Sequence, residues 1–93
     1  MRKRIRIGII GAGGMSAYHI PGFRKGGAEV VAIADPNRAA AERCAKAHGV
    51  GEVYDSAERM LKEAKLDAVS VITPNRFHAP LAIAALKAGK HVF

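Results

Sequence analysis

Ninety-three residues, 49% of them hydrophobic, with 15 Lys and Arg against 8 Asp and Glu, make one small domain of net charge +7. No apolar run approaches the length of a membrane span, and the single cysteine excludes an intramolecular disulfide and a cysteine-based metal cage. The basic residues are spread along the chain apart from Arg2, Lys3, Arg4 and Arg6, and the few aromatics are not interleaved with them, which disfavours nucleic acid as a partner.

Met1-Arg2-Lys3-Arg4 opens like a signal peptide, but glycines follow and no small-residue cleavage site does, so the chain reads as cytoplasmic. Ile5–Ile10 is the first predicted strand. A helix from Met15 to about Lys25 follows, closed by Gly26-Gly27 and kinked by Pro21, which removes one hydrogen bond. Val30–Ala34 is the second strand. The second helix runs from about Arg38 to His48, with Asn37 as N-cap and Gly49 as the stop. Glu52–Asp55 is a short third strand, and Asp55 or Ser56 caps a third helix; Asp55 and Glu58 have capping-box spacing. Ala57, Met60, Leu61 and Ala64 form the buried stripe of that helix. Ala68–Thr73 is a nearly continuous apolar run, suited to a strand covered on both faces. A fourth helix runs from about Phe77 to Ala88 and ends at Gly89, and His91-Val92-Phe93 begins a fifth strand.

Strand and helix alternate throughout residues 1–93, with no linker or repeat. Right-handed crossovers then require a doubly wound parallel α/β sheet of Rossmann type, in the order 3-2-1-4-5. Its ligand crevice lies above strands one and four, where the winding reverses.

The first strand delivers the chain to Gly11-Ala12-Gly13-Gly14, and the second ends in Asp35. This is the pattern that holds a dinucleotide. Gly11 permits the tight turn, and Gly13 lets the backbone approach a pyrophosphate with no Cβ in the way. Gly14 and Met15 bring backbone N–H groups of the next helix to the phosphates; Met15 suits the core equally. The third small position of the GxGxxG pattern is Ser16, where close helix–strand packing is at stake. Gly8 is read as a packing residue of the strand, and Cys44, among alanines, as a small core residue. Asp35 can accept from both hydroxyls of the adenosine ribose. Its charge beside a 2′-phosphate costs about 4 kcal/mol at ~4 Å and an effective dielectric of ~20, which favours NAD over NADP. Arg38 can swing over and offset that penalty, although a solvated helix residue is the favoured reading. The histidines have no mutual metal-ligand spacing, and no nucleophile–base arrangement is present.

Thr73-Pro74-Asn75-Arg76-Phe77-His78, followed by Ala85-Leu86-Lys87-Ala88-Gly89-Lys90-His91-Val92, resembles the glucose–fructose oxidoreductase and inositol dehydrogenase group, Gfo/Idh/MocA. The Ile7-to-Gly14 start and Ala34-Asp35-Pro36-Asn37 are similar to the same family, and the resemblance covers the whole chain. It implies an N-terminal Rossmann domain for NAD or NADP, followed by a larger domain that shapes the substrate site. It also implies hydride transfer at hydroxyls of sugars, inositols and related polyols. Thr73, Pro74 and Asn75 then border the ribose and nicotinamide side, while Asn75 can also cap the fourth helix. His78 can bond either a ribose or a backbone carbonyl. The family's Glu-Lys-Pro motif and its later catalytic Asp and His do not occur here, so the chain reads as a truncated cofactor-binding portion, inactive alone. The alternative is an engineered or truncated Rossmann fragment serving as a noncatalytic folding or assembly module. A third reading is a nucleotide-sensing or nucleic-acid-binding domain. Ending at Phe93 is expected to leave the fifth strand with an exposed edge, through which two copies form a homodimer.

Overall fold

Runs of branched apolar residues make the strands, and glycines end three of the four helices between them. The computed structural model describes residues 4–11, 16–72 and 75–92, with backbone alone at 16–18 and 75–79. Its elements are β1 (Arg6–Ile10), α1 (Ser16–Lys25), β2 (Glu29–Ala34), α2 (Arg38–His48), β3 (Glu52–Tyr54), α3 (Ala57–Glu63), β4 (Ala68–Val71), α4 (Asn75–Lys87) and β5 (His91–Val92). All strand pairs are parallel and the order is β3-β2-β1-β4-β5, as the alternation of elements requires. No helix among the described residues is long and apolar enough to cross a membrane.

The sheet separates two apolar layers. Ile7 and Ile9 of β1 pack with Ile20 of α1 and with Ala41, Cys44 and Ala45 of α2. Ile10 packs on the other side with Met60 of α3 and Ala85 of α4. Both faces are covered, so β4 is buried along its whole length. β2 breaks strict alternation. Ile7 pairs with Val30 and Gly8 with Ala32, so Val31 is an extra residue opposite β1. This bulge puts Val30 and Ile33, three apart, in the α1–α2 layer, and the adjacent Val31 and Ala32 in the other.

Gly8 is a packing residue, as its sequence context suggests. A Cβ there would lie 2.7 Å from Leu66 Cδ1 and 2.8 Å from Met60 Cε, so its absence lets α3 close on β1.

Helix ends follow the sequence signals except in the expected α3 capping box and at the start of α4. Asn37 caps α2 by accepting from Ala40 N at 3.1 Å, and Gly49 ends it at φ 66°, a conformation that glycine adopts without steric cost. The N–H groups of Ala28, Val50 and Lys90 each return to the carbonyl five residues back, at 3.0, 2.9 and 3.0 Å. α1, α2 and α4 therefore share one termination device. α3 is capped by Ser56, which accepts from Arg59 N at 3.1 Å; Asp55 instead lies 3.6 Å from the Arg59 guanidinium. The helix begins at Ala57, which makes Arg59 the third helical residue and removes Asp55 and Glu58 from capping-box register. α4 begins at Asn75, two residues before the expected Phe77, so Asn75 lies within its first turn and not ahead of it as a cap.

Candidate functional site

Three backbone hydrogen bonds align the carboxyl ends of the strands. Ile72 N donates to Ile10 O at 2.7 Å, Gly11 N to Ala34 O at 2.8 Å, and Asp35 N to Tyr54 O at 3.1 Å. Beyond this row the chain leaves β1 for α1 and β4 for α4, which cover opposite faces of the sheet. That is the switch point at which doubly wound sheets bind ligands. Gly11 is buried there at φ 105°, a conformation that would strain any side chain.

A cleft of about 470 Å³ opens at this end. Its walls are apolar: Ile10 and Ala34 from the strand ends, Pro36 after β2, Ala57 of α3, and Pro80 and Leu81 of α4. Among the described residues, Asp35, Ser56 and Glu58 are the polar ones in its lining. This volume and largely apolar lining suit a small-molecule or cofactor pocket. Asp35 is half-buried, and its Oδ1 accepts the Asn37 N–H at 2.8 Å, which orients the carboxylate at the cleft's rim. Ser56 Oγ is engaged in capping α3. Glu58 is exposed and makes no hydrogen bond or ion pair among the described residues.

The structure brings Gly11 and Asp35 to one cleft, as their spacing predicts. Arg38 is exposed and bonded to Glu42 at 3.0 Å, in agreement with the solvated reading. The backbones of Asn75 and His78 lie in the first turn of α4, and Gly13, Gly14, Met15, Thr73 and Pro74 lie outside the described residues. Sequence reasoning missed Pro80 and Leu81, and it gave Ser56 and Glu58 capping roles alone. The strand order carried part of the missing signal, because it sets the end of β3, from which Ser56 and Glu58 follow, beside the end of β2 that carries Asp35.

A second cleft, of about 480 Å³, lies at the amino ends of β1 and β2 and is lined by Arg4, Arg6, Arg24, Glu29 and Glu52 among others. Arg6 is held there by donation to Lys65 O at 2.8 Å and by Glu29 at 3.7 Å. Glu52 accepts from Tyr54 Oη at 2.7 Å, and this bond, with burial and the carboxylate's charge, pushes the Tyr54 phenol up to about 12. No histidine, cysteine, aspartate and glutamate cluster able to hold a metal occurs among the described residues.

Comparison with known proteins shows what this architecture is similar to. Residues 5–93 match the model of an oxidoreductase family described as an NAD-binding Rossmann fold. Inositol 2-dehydrogenase of Corynebacterium glutamicum is 35% identical over 91 residues, which cover 96% of this chain and 27% of that protein. D-glucoside 3-dehydrogenase of Escherichia coli is 38% identical over 90 residues, covering 95% of this chain and 26% of that one. Scyllo-inositol dehydrogenase from Lactobacillus casei, solved with bound NAD(H) and scyllo-inositol, superposes with a TM-score of 0.89 at 34% identity. The match covers 98% of this chain and 27% of that one. The chain thus spans about a quarter of the length of the relatives it matches.

Proposed function

The chain belongs to the Gfo/Idh/MocA oxidoreductase family, as its NAD-binding Rossmann portion, and from that premise we propose that it binds NAD in the crevice at the carboxyl end of its sheet. The protein it represents would then transfer hydride between NAD and a hydroxyl of a sugar or polyol. One observation carries the cofactor reading: the Asp35 carboxylate, oriented by the Asn37 N–H, stands at the mouth of an apolar cleft beside Gly11. Asp35 would accept from the ribose hydroxyls and Gly11 would admit the pyrophosphate, while the apolar walls cover the base. Bound NAD supplies the hydride acceptor, and the chain's own residues bind and orient it.

NAD is favoured over NADP for two reasons. A 2′-phosphate would meet the Asp35 charge, and Arg38, the nearby cation able to neutralise it, is engaged by Glu42. Such a helical surface pair contributes only about 0.3–0.5 kcal/mol, so it weakens the compensation without abolishing it. The crevice places two titratable side chains among the described residues, Asp35 and Glu58, and both belong to the adenosine end in this reading. In this reading neither takes a substrate proton, and the chain by itself is expected to show no polyol-dependent NADH formation.

An NMR titration tests the proposal. NAD should bind with a dissociation constant between about 1 µM and 1 mM and shift residues 11–16 and Asp35. Saturable binding of NADP clearly tighter than NAD would overturn the assignment of Asp35.

A further inference from the structure

Among the polar groups of the crevice, Glu58 alone has no structural engagement shown among the described residues. Asp35 is oriented by Asn37 and serves the ribose in the reading above, and Ser56 is the α3 cap. Glu58 comes from a different element, the first turn of α3, and it lines the same apolar cleft as Ala57, Pro80 and Leu81. A carboxylate accepts hydrogen bonds and donates none. A base lying between apolar walls presents its polar groups at its edge, and the donor on that edge of adenine is the 6-amino group.

We infer that Glu58 is a specificity residue that reads the adenine 6-amino group, so that the crevice prefers adenine dinucleotides to those lacking that donor. The inference rests on the crevice being the cofactor site. A negative charge in the first turn of a helix also suits the helix dipole, but that role is indifferent to the base of the ligand. Base preference therefore separates the two roles.

The test compares NAD with nicotinamide purine dinucleotide, in which hydrogen replaces the 6-amino group and nothing else changes. Dissociation constants are measured by NMR titration on the 93-residue chain and on its Glu58→Ala and Glu58→Gln variants. The unsubstituted chain should prefer NAD by about three- to tenfold, the scale of a charge-assisted hydrogen bond at a solvent-open rim. Glu58→Ala should bring the ratio to about one, and Glu58→Gln, which keeps an acceptor without its charge, should fall between. An equal change in affinity for both dinucleotides in Glu58→Ala would show a helix-dipole or general charge role and overturn the inference. So would a ratio of one in the unsubstituted chain. Absence of any dinucleotide binding would overturn the cofactor reading and this inference together, whereas NAD binding with an unchanged ratio overturns this inference alone.

Discussion

The two ends of the sheet carry clefts of nearly equal size, about 470 Å³ at the carboxyl end and about 480 Å³ at the amino end, and they differ in chemistry. Among the described residues, the carboxyl-end cleft has apolar walls, two carboxylates and no basic residue in its lining. The amino-end cleft gathers three arginines, two of whose neighbours are glutamates already engaged, Glu29 by Arg6 and Glu52 by Tyr54. Net charge would direct an anionic dinucleotide to the arginines. In the proposed reading it goes to the other end, where Gly11 holds a backbone conformation closed to side chains and the Asp35 carboxylate, oriented by the Asn37 N–H, would accept from sugar hydroxyls. The arginine end has a structural duty instead. Asp67 accepts from Arg6 N at 2.9 Å and returns its own N–H to Arg6 O at 2.8 Å, while His91 N reaches Asp67 O at 3.1 Å, so β1, β4 and β5 are pinned there. Volume and charge therefore rank the clefts one way, and hydrogen-bond geometry ranks them the other.

The largest expected effect that could break this contrast is on binding. Asp35→Ala should weaken NAD by roughly 10- to 100-fold, the loss of about 1.5–3 kcal/mol from hydrogen bonds to a charged group. Arg24→Ala at the opposite cleft should leave the constant within about twofold, because exposed charges beyond a Debye length are screened at physiological salt. If calorimetry found the two variants equal, the arginine end would have to be the site. Glycine substitutions sharpen the same contrast through stability. Gly11→Ala places a Cβ at φ 105° and should cost about 1–3 kcal/mol in urea unfolding. Gly51→Ala at the other cleft meets open space and should stay within about 0.5 kcal/mol of the parent. Asn37→Ala should cost about 1 kcal/mol through the lost cap of α2, with a fall in melting temperature that NAD partly restores.

The smallest effect concerns Tyr54. Its phenol is raised to about 12 in the folded chain against 10.0 as the ordinary value. The folded form holds this proton more tightly, so the associated stability is complete below pH 10 and is lost as pH rises toward 12. Solvent screening at this partly open site limits the contribution to under about 1 kcal/mol. Ultraviolet titration of a Tyr18→Phe variant should show the remaining phenol ionising well above 10, and Glu52→Gln should bring it down.

Much of this was legible before the fold was known. α2 was placed from Arg38 to His48 because Asn37 and Gly49 stand as unambiguous signals at its two ends. Gly11 and Asp35 each end an apolar run, and the strand order then brings those ends to one cleft. The start of α4 departs from the expected Phe77 because Asn75, read as a residue able to cap the helix from outside, lies within its first turn. The Val31 bulge was invisible for a different reason. In Val30-Val31-Ala32-Ile33 every side chain is apolar and buried, so no alternation remains from which to read a change of face. Glu58, Pro80 and Leu81 reach the crevice through the packing of α3 and α4 against the sheet, and local sequence does not encode that approach.

The bulge gives β2 something like a reading frame. Upstream of Val31 the strand counts inward and outward in one phase, and downstream in the other. Deleting Val31 would restore regular counting with Val30 and Ile33 two apart and both still in the α1–α2 layer, and would remove one apolar side chain from the other layer. Deleting Val31 and Ala32 together would instead make Val30 and Ile33 neighbours and send one of them to the wrong layer. Exchanges of one apolar residue for another leave the count untouched. Relatives of this chain are therefore expected to vary freely in the identity of the residues along this strand, and any difference in its length to be the presence or absence of the one bulged residue.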